Sequence, residues 1–409
     1  MTPHGPAARP PRVLVVTHSY YEEDPRVRRQ AEALAAAGLS VDVLALRKPG
    51  SPGRERLEGV EVHRLPVQRH QGAGIGVYLG EYAEFFVRVA LAAIPLHARR
   101  HYDVAQVATL PDPLVFALAP LPLDGVPVVL DLHEAMPEFF RSRFPAASRP
   151  MVRFALLAAE RASIAFASRI LTVNDALRDR LVGLGVPAGR IDVVLNSPRS
   201  DRFDPTAHPR RPFMADGCLR LVYAGALTPL YQLDVVLDAL SRLAGGVDGP
   251  PLDATLDLYG RGDAEPMLRA RATSLGIADR VTFHGRIPVE EVADAIASAD
   301  IGLAPTRRDE FTDFSLSTKI FEYAAMEKPV VASRLPTVER YFGEALCYFD
   351  PGDPASLAGA VRRLAEDGAC RDGLVASAGA RVRQLSWERE AARYVSIIEG
   401  LAGVTAARA

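Results

Sequence analysis

The residues best equipped for chemistry lie in Phe314-Ser-Leu-Ser-Thr-Lys-Ile-Phe-Glu322, followed by an apolar run to Ser333. Ser315, Ser317 and Thr318 crowd what reads as a helix start. Lys319 falls in the first turn, and Glu322 lies four residues after Thr318 on the same face. Free backbone N–H groups, the positive end of a helix dipole and a lysine together suit an anion. A carboxylate about one turn (~5 Å) deeper suits a vicinal diol. Phosphates beside a ribose are what a nucleoside diphosphate offers, so the segment reads as a nucleotide-sugar cradle. The bland alternative makes Glu322 a solvated residue paired with Lys319 or Lys328, and makes Ser317 and Thr318 simple helix caps.

A second group surrounds Asp131-Leu-His-Glu134 and Glu138. His133 follows an apolar strand and is either satisfied by a neighbouring carboxylate or open to a ligand hydroxyl. Glu134 and Glu138 either orient and deprotonate an attacking hydroxyl or pair with Arg141 or Arg143. Asp24 suits a helix N-cap, while Arg26 in that first turn opposes the dipole, a local conflict that marks a phosphate contact. Gly225, Gly260 and Gly262 follow strand ends and serve either turn geometry or close approach to a donor. Arg261 between the last two can reach phosphate or base.

These groups need a frame, and the chain supplies one. Runs of Val, Ile and Leu alternate with helical stretches: Arg12–Val16, a helix over Pro25–Ala37, then Val41–Leu46, Val60–Arg64, Asp103–Ala108, Val126–Asp131, Arg169–Val173 and Ile191–Leu195. Pro, Arg, Asp and His cluster without periodicity between Asn196 and Gly217, which reads as a linker. The alternation restarts at Leu219–Tyr223, Asp253–Tyr259, Arg280–Phe283, Asp300–Ala304, Pro329–Ser333 and Ala345–Phe349. A helix of about three turns is expected between Ser317 and Pro329. The pattern predicts two doubly wound α/β domains with parallel sheets, their ligands beyond the carboxyl ends of the strands and the active site in the cleft between them.

Composition narrows the class. The 409 residues suffice for about two cores, and 48% apolar with 24% charged residues is ordinary for a globular chain. A formal charge of -2 gives no reason to expect a nucleic-acid partner. Three cysteines without metal-ligand spacing, and no signal-peptide run, suit a cytoplasmic protein. Ile75–His97 is apolar but broken by Glu81, Glu84 and Arg88, which favours a helix packed on a sheet; the minority reading rests it on a membrane surface. Gly72–Gly76 reads as a flexible loop and Trp387 as packing.

The motifs, in order, resemble the retaining GT-B glycosyltransferases, in particular the large bacterial family 4 (glycosyl transferases group 1). The similarity runs from Arg12 to about Leu401: Asp24–Gly38 is similar to the family's first helix, and Asp131-Leu-His-Glu134 with Pro137-Glu138 to the segment carrying its active-site histidine. Tyr223-Ala-Gly225 and Leu258-Tyr-Gly260-Arg-Gly262 are similar to its glycine turns, and Ser386-Trp387-Glu388 to the start of its final helix. Two departures from its pattern involve three residues. Phe314 stands where many members carry the first Glu of a Glu-x7-Glu pair ending at Glu322, and Ala226 and Tyr231 stand where an Arg/Lys pair usually contacts the diphosphate.

The resemblance implies an acceptor-binding domain over 1–200, joined by the helix 387–409, and a donor-binding domain over 201–386. It implies transfer of a sugar from a UDP- or GDP-type donor to an acceptor hydroxyl with retention, without metal or other cofactor. His133, Glu134 and Glu138 would act at the reacting sugar and acceptor. Glu322, Lys319, Thr318, Ser317, Gly225, Gly260, Arg261, Gly262 and Arg26 would hold the donor. The acceptor stays open between a lipid-linked glycan, a natural product and a protein, with at most peripheral membrane contact. A sugar-nucleotide epimerase and a non-catalytic scaffold remain the alternatives.

Overall fold

The computed structural model describes residues 9–68, 75–209, 211–247 and 249–406. The chain folds into two compact units. Residues up to Asn196 and from Glu390 onward form the first, and Ser197–Arg389 the second.

The first unit holds strands β1 (Arg12–Thr17), β2 (Ser40–Leu46), β3 (Arg54–Leu57), β4 (Val60–Leu65), β5 (Val104–Ala108), β6 (Val128–Leu132), β7 (Arg169–Thr172) and β8 (Ile191–Val193). They form one sheet in the order β3-β4-β2-β1-β5-β6-β7-β8. All pairs are parallel except β3 with β4. Helices α1 (Pro25–Ala36), α2 (Ile75–Arg100), α3 (Met136–Arg143), α4 (Pro150–Phe166) and α5 (Asp175–Gly183) belong to this unit. Every residue of β5 and β6 is buried, as a parallel sheet covered on both faces requires.

The second unit holds β9 (Leu219–Ala224), β10 (Ala254–Tyr259), β11 (Val281–Gly285), β12 (Ile301–Ala304), β13 (Val330–Ser333) and β14 (Cys347–Phe349). Their order is β11-β10-β9-β12-β13-β14, parallel throughout. Helices α6 (Leu233–Gly245), α7 (Glu265–Ser274), α8 (Val292–Ala297), α9 (Thr318–Ala325), α10 (Pro336–Phe342), α11 (Pro354–Glu366) and α12 (Gly368–Gln384) accompany them. Helix α13 (Trp387–Ala406) follows. Its Tyr394, Ile398 and Ala402 recur at helical spacing and are buried.

Helix α2 packs Phe85, Val89 and Ala93 into the core, as expected of a helix on a sheet. Glu81, an interruption in the apolar run, is buried with its Oε1 3.1 Å from Nε2 of His18. The opposite face leaves Val77, Leu79, Val87, Leu91 and Ile94 exposed. Among the described residues no helix is long and apolar enough to cross a membrane. Of the expected Gly72–Gly76 loop, residues 72–74 lie outside the described residues, and Ile75 and Gly76 open α2.

Candidate functional site

In the second unit the strand order turns at β9, whose neighbours are β10 and β12. Ligands of doubly wound sheets sit beyond the carboxyl ends of strands at such a switch. The turns after β9 and β10 are joined there by backbone hydrogen bonds. Gly225 N–H donates to the Tyr259 carbonyl at 2.8 Å, and Leu227 N–H to that of Arg261 at 3.1 Å. A Cβ on Gly260 would lie 1.8 Å from the Gly225 carbonyl oxygen, and one on Gly262 2.1 Å from that of Leu227. Contact between the two turns therefore accounts for both glycines without a ligand. Gly225 is different, because a Cβ there would lie 2.2 Å from Cε of Lys319. Its absence lets the lysine cross the β9 turn.

Helix α9 is seated by Tyr323. The ring fills the place of a side chain at Gly302, where a Cβ would be 2.3 Å from Cγ of the tyrosine. The Tyr323 hydroxyl accepts the Ala224 N–H at 3.1 Å, which ties the helix to the end of β9. The helix has eight residues, shorter than the three turns expected. Glu327 adopts a left-handed φ of 54°, and Lys328 N–H returns to the Tyr323 carbonyl at 2.9 Å, closing the helix early. Ser317 occupies the N-cap position but makes no side-chain capping hydrogen bond, contrary to expectation, and Thr318 is the first helical residue.

Lys319 is 8% exposed. Its Nζ lies 4.1 Å from the ring centroid of Tyr231 and 5.2 Å from that of Tyr223. Among the described residues no carboxylate pairs with it. A buried ammonium without a counter-ion is costly unless an anion arrives. Glu322 is half-buried one turn further along, and Lys328, one of the partners considered for it, donates to the carbonyls of Ala297 and Ala299 at 2.8 and 2.7 Å. Arg261 is exposed, its Nε 3.7 Å from where a Gly285 Cβ would be. Phe314 ends a short turn after a loop held by Asp309, which accepts the amides of Phe311 and Thr312 at 3.0 and 2.9 Å.

In the first unit His133, Glu134, Asp24 and Arg26 come together, and Glu138 does not join them. His133 is buried, with Nε2 2.9 Å from Asp131 Oδ2. Gln106 donates to the same oxygen at 3.0 Å and to Gln30 Oε1 at 2.8 Å, while Tyr394 donates to Gln106 Oε1 at 2.6 Å. This relay lets the Asp131 carboxylate hold the proton on Nε2, which leaves a lone pair on Nδ1. That atom is buried and has no hydrogen-bond partner among the described residues. The carboxylate-partner alternative for His133 therefore holds on Nε2, and Nδ1 leaves the other alternative open.

Asp24 caps α1, accepting from the Arg26 and Val27 amides at 3.2 and 3.3 Å and from the Ser19 hydroxyl at 2.9 Å. Burial favours its neutral form, but Arg26, His133 and these hydrogen bonds outweigh burial and lower its pKa. Burial likewise opposes the Arg26 charge, yet Asp24, Glu134 and Asp131 raise that guanidinium's pKa. Three carboxylates thus explain a cation at the wrong end of a helix. Burial raises the Glu134 carboxyl above the ordinary glutamate range, with Arg26 and His133 offsetting part of the effect.

Because the folded state then holds the Glu134 proton more tightly than the unfolded chain, ionisation costs stability above the ordinary glutamate pKa of 4.5. That cost is relieved as pH falls through the raised folded value. Glu134→Gln is accordingly expected to melt higher than the parent at pH 7, with the gain shrinking towards pH 4. Calorimetric scans across that range check it, and an equal loss at both ends would contradict it.

Glu138 requires a correction. It is gripped by Arg180, which donates Nε and Nη2 at 3.0 and 2.8 Å and also binds Glu160 at 2.7 and 3.1 Å. Its partner is neither Arg141 nor Arg143 in this network, and its oxygens already serve to join α3, α4 and α5. Gln106, Gln30 and Tyr394 were missed. A glutamine inside the apolar run Val104-Ala-Gln-Val-Ala108 was the one available signal.

Comparison with known proteins gives consistent matches. Residues 24–197 match the family described as glycosyl transferase 4-like domain, and residues 218–367 match glycosyl transferases group 1. The D-inositol 3-phosphate glycosyltransferase of Geodermatophilus obscurus is 27% identical over 391 residues, covering 91% of this chain and 84% of the relative. Among solved structures, sucrose-phosphate synthase from Thermosynechococcus elongatus has a TM-score of 0.79 at 20% identity, covering 97% of this chain and 100% of its own. Anabaena Alr3699/HepE in complex with UDP-glucose has a TM-score of 0.69 at 16% identity, covering 95% and 99%. These likenesses identify the fold as GT-B.

Proposed function

Since the chain belongs to the glycosyl transferases group 1, we propose that it moves a sugar from a nucleoside diphosphate donor to an acceptor hydroxyl with retention at the anomeric carbon. The observation that carries the donor reading is Lys319, a buried ammonium at the start of α9 that no carboxylate pairs with among the described residues. The diphosphate lies against that helix start and Lys319, with Ser317 and Thr318 contributing backbone amides and Arg261 a second cation. The ribose lies on Glu322. Charge grows on the leaving diphosphate as the glycosidic bond breaks, so a preorganised positive site lowers the barrier. With helix dipole and side-chain cations in these roles, transfer proceeds without a metal ion.

In the first unit, His133 Nδ1 accepts a hydrogen bond from a hydroxyl of the reacting sugar, and Arg26 meets the leaving phosphate. Glu134 orients the acceptor hydroxyl or takes its proton; a carboxyl with a raised pKa suits the second role. The UDP-glucose complex of Alr3699/HepE supports a UDP-type donor, and the inositol phosphate relative supports a polyol acceptor. The exposed apolar face of α2 supports peripheral contact with a lipid surface that carries such an acceptor.

A panel of sugar nucleotides screened for thermal protection, followed by release assays with and without chelator, tests the proposal. Free nucleotide appearing with an acceptor at unchanged rate in chelator is the expected result. Binding without turnover would favour a scaffold, isomerised donor without free nucleotide an epimerase, and strict dependence on divalent metal would contradict the metal-free step.

A further inference from the structure

Where the family usually has a second cation at the β9 turn, this chain has Tyr231, and the structure shows what that tyrosine touches. Its ring face lies 4.1 Å from Lys319 Nζ, with Tyr223 completing a two-sided enclosure at 5.2 Å. Tyr223 is itself immobilised. It is fully buried, its hydroxyl donates to the Ala226 carbonyl at 2.8 Å, and its ring centroid is 5.9 Å from that of Tyr231. Gly225 supplies the passage for the lysine stem, since a Cβ would overlap Cε. Two rings, one glycine and the short turn Pro229–Tyr231 thus fix a single ammonium.

We propose that Tyr231 is a positioning residue for the donor diphosphate, acting through Lys319. The inference rests on the donor-site reading above. An aromatic face attracts a cation without engaging its N–H donors or cancelling its charge. A carboxylate in the same place would do both, and would compete with phosphate. The enclosure therefore holds Lys319 in one place with its N–H donors open towards an oxyanion, so that one oriented lysine serves at the turn where the family usually has an Arg/Lys pair. Holding the side chain before ligand arrives also reduces the rotamer entropy lost on binding.

The test measures calorimetric affinity for UDP, GDP and ADP and for their monophosphates, with melting temperature recorded for each variant. Tyr231→Leu is expected to weaken binding of the preferred diphosphate by about 3- to 30-fold, the range of a partly desolvated cation–π contact. Tyr231→Phe should stay within about 2-fold of the parent, the size of a neutral contact change, and monophosphate affinity should hold for both. Should Tyr231→Leu unfold, phenylalanines of increasing fluorination at position 231 keep the ring shape while weakening its negative face. Diphosphate affinity should then fall stepwise with fluorination. Equal losses for mono- and diphosphate, or no trend across the fluorinated series, would overturn the proposal. Lys319→Met separates donor binding by the lysine from its enclosure by the tyrosines. If it leaves diphosphate affinity intact, or if none of the three diphosphates binds the parent, the donor-site reading itself fails. If Lys319→Met loses affinity while Tyr231→Leu does not, only the enclosure fails.

Discussion

His133→Ala is expected to lower turnover by about 10²- to 10³-fold, the cost of removing one preorganised polar contact to a transition state, while donor affinity changes little. The expectation follows from the two nitrogens having separate duties. Nε2 is committed to Asp131, and Nδ1, though buried, has no hydrogen-bond partner among the described residues. A histidine serving only the core would satisfy both. Asp131→Asn provides the companion variant. Gln106 donates to the same Asp131 oxygen, so an asparagine turns its carbonyl towards Nε2 and keeps the tautomer while losing the charge behind the ring. Its turnover should therefore fall by less than that of His133→Ala, with the imidazole still present. Steady-state kinetics with a saturating sugar nucleotide read both. Loss of donor affinity with turnover retained would place His133 outside the reacting centre.

Glu322→Ala should weaken nucleotide binding by about 10- to 100-fold, the value of a charged hydrogen-bond acceptor for a vicinal diol. The half-buried side chain sits one turn beyond the buried lysine on a helix whose own packing is elsewhere, through Ile320, Phe321, Tyr323 and Ala324. Stability should accordingly change by less than about 1 kcal/mol, as for substitutions outside the core. A 2′-deoxyribose analogue of the preferred nucleotide supplies a second arm. Its penalty should be large on the parent protein and nearly vanish on the variant, because both changes remove the same contact. Additive penalties would move the ribose away from Glu322.

Thirteen of the fourteen strands among the described residues coincide with runs read from the sequence, because apolar residues at every position or every second one mark burial on two faces or one. The missed strand is β3, Arg54-Glu-Arg-Leu57, an edge strand with alternate residues exposed. Its signal lay in the turn instead. Glu58 and Gly59 both take positive φ, at 45° and 83°, which is the two-residue turn that an Xaa-Gly step between short runs announces. Sequence periodicity sees burial well and edge pairing poorly.

The candidate site was legible by residue type and less so by partnership. Local grammar singled out Lys319 and Glu322 as candidates because a helix start, its first turn and the next lie within a few residues of one another. Asp24 was equally local. Glu138 forms an ion pair, one of the two alternatives, but its partner was missed because Arg180 lies 42 positions away. The Tyr394–Gln106 bond that steadies Asp131 spans 288 positions, far beyond any spacing rule. Tyr231 looked like a lost cation until the fold placed its ring against Lys319. Physical chemistry names the groups that can act; only the chain path decides which of them meet.

A crystal structure of the protein with its preferred nucleoside diphosphate bound would decide most directly. Phosphate oxygens are expected within about 3.2 Å of Lys319 Nζ and of amides at the start of α9, with both ribose hydroxyls on Glu322. A diphosphate bound elsewhere, with Lys319 still enclosed by its tyrosines and touching no anion, would contradict this placement.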